Sequence, residues 1–164
     1  MKDPAGFEDF CQRHYSRLAG LAFLLTRDRQ EAQDLAQEGL ARAFERWGRV
    51  SRLDRPDAWV QRVVVNLAHS WKRRLRRVLP VALPPDQFVI DPEVSDPALV
   101  RALGVLTPGQ RTVIVLRFFL DWSVAQVADA LGKQPGTVRA LTAQGLDRLR
   151  RTLTQQEVSD EARG

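Results

Sequence analysis

The sequence predicts an all-α protein with two small helical domains, at residues 1–79 and 96–164, joined by an extended acidic linker at residues 80–95. Apolar residues recur at three- and four-residue intervals in both halves, which is the period of an amphipathic helix. Between the halves, residues 79–100 contain five prolines, four acidic residues and no lysine or arginine. Proline at that density prevents a continuous helix, so we expect the two helical halves to be separate domains.

Composition limits the classes of protein to which the chain can belong. Its 164 residues carry a net charge of +5, which favours a polyanionic partner. The single cysteine, Cys11, allows no internal disulfide and is typical of a reducing compartment. The first residues lack the pattern of a signal peptide, and no apolar run approaches the length of a membrane span. We therefore expect a soluble, cytoplasmic protein without membrane insertion.

Two helices and a loop are predicted before residue 55. Apolar spacing predicts a first helix that ends near Thr26. The pair Asp28 and Glu31 has the spacing of a capping box, which starts a second helix with an apolar face up to Trp47. The glycine and arginines at residues 47–54 indicate a loop.

The third helix, opened by Pro56, has an apolar side and a basic side. The three valines at residues 63–65 are also compatible with a buried strand, but the apolar spacing on both sides of them favours a helix. Residues 55–78 contain seven basic residues and one acid, which is typical of a surface that binds nucleic acid. The apolar stripe is predicted at Val60, Val63, Val64, Leu67 and Trp71.

Helical signals return after the linker. Asp96 precedes a fourth helix, and Thr107 with Gln110 caps a fifth helix that runs to about Leu120. The tail after Leu153 is polar, and we expect it to fray.

Residues 123–153 have the pattern of a helix-turn-helix. An apolar short helix ends at Gly132, where a left-handed residue would turn the chain, and Pro135 suits the first turn of the next helix. Small Gly145 allows the two helices to cross closely. The inner face of the second helix is predicted at Val138, Leu141, Gly145 and Leu149.

In a helix-turn-helix, the N-terminal residues of the second helix contact base edges in the major groove. Arg148 lies further along, where it would meet phosphates. The other reading of the same pattern is a helical hairpin whose polar face is merely solvated. The residues predicted to reach DNA first are Lys133, Gln134, Thr137, Arg139, Ala140 and Thr142.

Nothing in the sequence predicts catalysis, a cofactor or a metal site. His14, His69 and Cys11 fall on separate predicted faces, and no glycine loop has the spacing of a phosphate cradle. We therefore expect a protein that binds other macromolecules rather than an enzyme.

Four stretches, in order, resemble one family. AQDLAQEGLARAFERW and DAWVQRVVVNLAHSWKRR are similar to region 2 of bacterial σ70-family RNA polymerase sigma factors. LTPGQRTVIVLRFFLDWSVAQVADALG and QPGTVRALTAQGLDRLRR are similar to region 4. A chain that keeps only these two regions resembles the extracytoplasmic-function (ECF) group. The resemblance implies a subunit that binds core RNA polymerase and directs promoter-specific initiation.

The resemblance also implies roles for residues of the first domain. Asp34, Gln37 and Glu38 match positions that bind the clamp helices of the largest polymerase subunit. Asn66 matches an asparagine that contacts single-stranded −10 bases. Trp59 and the loop at residues 48–55 lie near the place where a flipped base would be held, although Trp59 is equally compatible with a core role. The residues expected to hold −10 phosphates are Arg62, Lys72, Arg73, Arg74, Arg76 and Arg77.

For the second domain, the resemblance implies −35 recognition by the helix-turn-helix and contact with the polymerase flap. The acidic linker would thread the polymerase channels, and an anti-sigma factor is a possible further partner. One departure concerns the DNA-reading helix, where Leu141 and Gln144 replace arginines that many members carry.

Two other functions use the same features. A dimeric repressor or activator would bind a palindromic operator through the helix-turn-helix and dimerise through its N-terminal helices. A membrane-surface protein would use the basic third helix, but Asn66 and His69 interrupt its apolar stripe.

Overall fold

The computed structural model describes residues 4–74 and 96–164, without the side chains of Pro4 and of residues 71–74. The predicted all-α class is confirmed, since these residues form helices and no strand. They belong to two compact units that divide between Ser95 and Asp96. The predicted linker, residues 80–95, lies outside the described residues.

Residues 4–74 of the first unit form three long helices and one short helix. Their bounds are α1 Pro4–Thr26, α2 Arg29–Glu45, α3 Trp47–Val50 and α4 Pro56–Arg74. The predicted end of the first helix at Thr26 is confirmed. Asp28 is the N-cap of α2, where its side chain accepts a hydrogen bond from the Glu31 N–H. This bond satisfies one of the backbone donors that a helix start leaves free.

The core of the first unit lies where α1, α2 and α4 pack against one another. Gly39 of α2 makes the closest approach to α4, because a Cβ built there would lie 2.7 Å from Val64 Cγ2. The most buried members of this core include Leu18, Leu21, Ala22, Ala32, Ala36, Ala43, Val60 and Val64.

Two predictions for this unit were wrong in detail. Residues 47–54 were expected to form a loop, but helix α3 occupies the first four of them. Trp47 and Val50 are buried, and one helical turn places both side chains against the rest of the unit. In α4, Val63 is only half-buried, whereas Val65 is almost fully buried. The helix packs against both α1 and α2, so its apolar face is wider than one stripe. The alternative of a strand at residues 63–65 was also wrong.

The second unit contains four helices and a π-helical segment. The bounds are α5 Pro97–Gly104, α6 Pro108–Ile114, the π segment Val115–Phe119, α7 Val124–Leu131 and α8 Pro135–Glu161. Thr107 and Gln110 form both hydrogen bonds of a capping box, as predicted. Arg111 is buried and donates from its guanidinium to the carbonyl oxygens of Leu103 and Leu106, at 3.2 and 3.3 Å.

Two features of this unit differ from the sequence prediction. The fifth predicted helix changes to π geometry at Val115, and this turn leaves Phe118 58% exposed. The tail after Leu153 does not fray but continues α8 to Glu161. No proline or glycine interrupts that stretch, and hydroxyl groups such as that of Ser159 donate to carbonyls four residues earlier. The tail remains exposed along its length.

Candidate nucleic-acid interface

The turn between α7 and α8 has the geometry that the helix-turn-helix pattern predicted. Ser123 and Gln126 form a capping box at the start of α7. Gly132 ends that helix with φ 63° and ψ 35°, in the left-handed region. The Lys133 N–H then donates to the Ala128 carbonyl at 3.0 Å, which closes the helix end.

Helix α8 is seated by a few residues of its inner face. Val138 is fully buried, and Gly145 lies so close to Ile114 of α6 that an added Cβ would collide with the Ile114 side chain. The predicted inner residues Leu141 and Leu149 are half-buried. This seating fixes which side of α8 faces solvent.

The predicted DNA-reading residues are exposed with one exception. Lys133 and Gln134 are exposed in the turn, Gln134 making no capping bond with its side chain. Thr142 is half-buried, and its hydroxyl donates to the Val138 carbonyl at 2.7 Å, so that proton is already used within the helix. The other predicted DNA-reading residues of α8 are all exposed: Thr137, Arg139, Ala140 and Arg148.

A second polar face lies on α4 of the first unit. Arg62 and Asn66 are exposed, one turn apart on the same side of the helix, and Trp59 is half-buried one turn before them. The side chain of Trp59 therefore has both a packed part and an open part. The predicted phosphate-binding residues Lys72, Arg73, Arg74, Arg76 and Arg77 lie outside the described side chains.

The third candidate surface is the side of α2 that carries Asp34, Gln37 and Glu38. Burial, and secondarily the charge of Asp28, raises the pKa of Asp34. Hydrogen bonds join Gln37 to the half-buried Tyr15 of α1. Glu38 is bound to Arg42 at 2.7 Å. The hydrogen bond to Tyr15 and the ion pair with Arg42 orient Gln37 and Glu38, whereas the sequence alone predicted a charged helix face.

Comparison with known proteins assigns both units. Residues 10–78 match the family model for σ70 region 2, and residues 102–151 match the model for σ70 region 4. The chain is 33% identical over 160 residues to the RNA polymerase sigma-E factor of Streptomyces coelicolor, covering 95% of this chain and 90% of that protein. It is 30% identical to the sigma factor CarQ of Myxococcus xanthus, covering 93% and 91%.

The chain belongs to the σ70 family of RNA polymerase sigma factors. It is similar to members of the ECF group, such as SigM of Mycobacterium tuberculosis, with 29% identity over 92% of this chain. As a sigma factor of this group, it directs promoter-specific transcription initiation by RNA polymerase. These relatives favour that function over a dimeric repressor.

Solved structures share the fold of this sigma factor. The sigma factor RpoE of Bartonella quintana, in complex with the anti-sigma factor NepR, matches with a TM-score of 0.66 and 22% identity, covering 91% of this chain and 97% of that one. CnrH, in complex with the cytosolic domain of CnrY, matches with a TM-score of 0.59 and 23% identity, covering 93% and 90%.

The described part of the sigma factor contains neither a candidate metal site nor a candidate membrane span. Within residues 4–74 and 96–164, no group of histidine, cysteine and acidic side chains could hold a metal ion. No helix in these ranges is long and apolar enough to cross a membrane. The sequence reasoning did miss α3 and the exposed Phe118, since both depend on contacts between helices rather than on a local pattern.

Proposed function

We propose that this sigma factor divides its task between three surfaces. The α2 surface binds the clamp helices of the largest polymerase subunit, the exposed face of α4 binds the −10 element, and the start of α8 reads the −35 element. The second unit also contacts the polymerase flap. The observation that carries the proposal is that Asn66 of α4 and Arg139 of α8 are exposed, on helices whose other sides are buried.

At the −35 element, α8 enters the major groove with Thr137, Arg139 and Ala140 towards the bases. The arginine suits a guanine, whose N7 and O6 accept both guanidinium donors. The Ala140 methyl group can contact only an apolar group, such as the methyl of thymine. The residues that flank them, Lys133, Gln134 and Arg148, bind the DNA backbone. Thr142 contributes least to DNA contact, because its hydroxyl already donates a hydrogen bond within α8.

At the −10 element, Asn66 reads an unpaired base through its amide while Trp59 offers a partly open ring for stacking. Arg62, Lys72, Arg73, Arg74, Arg76 and Arg77 hold the phosphates. Stacking on an aromatic ring contributes about 1–3 kcal/mol per base. Opening several base pairs costs more than this, at about 1.4 kcal/mol per step. The −10 face therefore captures bases that are already unstacked.

The partners of this sigma factor follow from the same proposal. It works in the cytoplasm on core polymerase and promoter DNA, without a cofactor and without catalysis of its own. The Bartonella quintana sigma factor RpoE forms a complex with the anti-sigma factor NepR, and a protein of that class is a possible regulator of this chain. The residues 80–95 join the two units and thread the polymerase as an acidic connector.

Charge reversal of the α2 surface tests the proposal. Asp34→Lys with Glu38→Lys should abolish binding to purified core polymerase, because both carboxylates become cations on a surface that must dock. Glu8→Lys with Asp9→Lys makes the same change in charge on exposed residues of α1 and should leave binding intact. The measurements are core affinity and transcription in vitro from a promoter library.

Equal loss of core binding in both double variants would mean that net charge, and not the α2 surface, decides docking. A wild-type chain that binds core polymerase but selects no promoter from the library would contradict the assignment of α4 and α8. Tight binding of the free chain to a palindromic operator as a dimer would contradict the whole proposal.

A further inference from the structure

Tyr15 of α1 lies beside the α2 surface that is assigned to polymerase docking. Its side chain is half-buried where α1 packs against α2. The phenol hydrogen-bonds to Gln33 and to Gln37, which lie one turn apart on α2. One hydroxyl group of α1 therefore joins two amides of α2, and one of these amides, that of Gln37, belongs to the docking surface.

The chemistry of the phenol suits it to join two amides. A tyrosine hydroxyl both donates and accepts hydrogen bonds. Burial raises the pKa of Tyr15, and the hydrogen bonds to Gln37 and Gln33 offset only part of that rise. The hydroxyl therefore keeps its proton at neutral pH and can donate it to the carbonyl oxygen of a glutamine while it accepts from the other.

The Gln37 amide needs such a partner in order to be held in one orientation. Gln37 is exposed, and an exposed glutamine otherwise moves among several rotamers. Ordering a side chain of this kind when a complex forms lowers the affinity. The hydrogen bond to Tyr15 orders it beforehand. A primary amide has two N–H donors and one acceptor oxygen, so one bond to the phenol leaves other positions for a partner.

We propose that Tyr15 is a positioning residue for polymerase docking, whose hydroxyl holds the Gln37 amide in the orientation that meets the clamp helices. This inference rests on the proposed function of the α2 surface. Tyr15 acts through Gln37 and does not itself have to touch polymerase. Glu38 is constrained within α2 by its ion pair with Arg42 at 2.7 Å, whereas Gln37 takes its constraint from a second helix. The packing of α1 on α2 thus contributes to docking as well as to the fold.

The variant Tyr15→Phe tests the proposal because it keeps the ring and removes only the hydroxyl. Full-length chains compete with labelled wild-type chain for purified core polymerase. We expect Tyr15→Phe to weaken core affinity by about 2- to 10-fold, which corresponds to ordering one long side chain. Ser16→Ala removes a hydroxyl from the next residue, which is also half-buried and has no assigned part in docking, and should leave core affinity unchanged. Urea unfolding checks that each chain is folded in the assay.

A double-mutant cycle with Gln37→Ala separates positioning from direct contact. If Tyr15 acts through Gln37, then Tyr15→Phe causes no further loss of core affinity once residue 37 is alanine. An equal loss in both backgrounds would mean that Tyr15 contacts polymerase directly or supports the fold in general, and would overturn the inference. Wild-type affinity in the single variant Tyr15→Phe would also overturn it.

A second measurement uses the free chain and needs no polymerase. The side-chain NH₂ signals of Gln33 and Gln37 are observed by ¹⁵N NMR and assigned with the two alanine variants. Because phenylalanine keeps the aromatic ring beside these amides, a change in their signals reports the hydroxyl alone. Tyr15→Phe should move the Gln37 signals towards those of an unrestrained glutamine, and Ser16→Ala should not. Unmoved signals in Tyr15→Phe would show that the hydroxyl does not orient the amide.

Failure of the proposed function has a different signature from failure of this inference. If Asp34→Lys with Glu38→Lys leaves core binding intact, the α2 surface does not dock and both proposals are wrong, even where the NMR signals respond to Tyr15→Phe. If the charge reversal abolishes core binding while Tyr15→Phe binds as the wild type does, the surface docks without help from Tyr15, and only the inference is wrong.

Discussion

Replacing Gly39 by alanine tests whether close packing of α2 on α4 shapes the first unit. A Cβ at this position would lie 2.7 Å from Val64 Cγ2, well inside van der Waals contact. Val64 is fully buried and β-branched, so its rotamer in a helix is stiff and it cannot turn away. The helices must therefore separate or the valine must leave its rotamer.

Two opposing effects set the size of this change. Alanine is favoured over glycine inside a helix by about 1 kcal/mol. Overpacking a closed core costs about 1–3 kcal/mol. The expected result for Gly39→Ala is a loss of roughly 0–2 kcal/mol in the free energy of unfolding. Gly48→Ala is the matched control, because nothing lies within 4 Å of a Cβ there. It should gain about 0.4–1 kcal/mol.

Urea unfolding followed by tryptophan fluorescence measures both variants. Three of the four tryptophans, Trp47, Trp59 and Trp71, belong to the first unit. The double variant Gly39→Ala with Val64→Ala removes the colliding methyl groups, so in the Val64→Ala background the added alanine should stabilise. Stabilisation by Gly39→Ala alone, equal to that of Gly48→Ala, would refute the close approach.

The remaining predictions concern the turn, the −35 contact and pH. Gly132→Ala should cost about 1–2 kcal/mol because its φ is 63°, and Gly132→Asn should recover part of that loss on thermal unfolding. Arg139→Ala should lower discrimination at one −35 base by roughly 1–3 kcal/mol in competition binding, leaving other positions unchanged. The hydrogen bond from Arg55 lowers the pKa of Asp57. The ion pair therefore stabilises the fold above the unfolded pKa of about 3.9, and this stability is lost as pH falls through the lowered folded pKa. Asp57→Asn should reduce the loss of unfolding free energy at acid pH. The same loss in the variant and the wild type would contradict a stabilising role of this ion pair.

Helix ends were predictable because their chemistry is local. The cap at Asp28, the capping box at Thr107 and the left-handed Gly132 each need only a few neighbouring residues. The exposed side of α8 was predictable from the apolar spacing along that helix, and the burial of Val138 agrees with the predicted phase.

Features that depend on packing between elements could not be predicted in this way. Trp47 has the same sequence neighbours in a loop as in a helix, and its contacts with Phe7 and Phe10 decide for the helix. The choice of Val65 over Val63 for the core of α4 depends on two neighbouring helices at once. The Thr142 hydroxyl donates to the Val138 carbonyl of its own helix, and the spacing of residues does not predict that hydrogen bond.

Energetics place a limit on what the −10 face can do alone. Opening roughly ten base pairs at about 1.4 kcal/mol per step costs on the order of 14 kcal/mol. One or two bases stacked on Trp59 or held by Asn66 return only about 1–3 kcal/mol each. The balance must come from polymerase, so we expect the free chain to leave a duplex promoter closed under conditions in which the holoenzyme opens it. Permanganate reactivity of −10 thymines measures this directly, and opening by the free chain would show that the first unit holds far more than two bases.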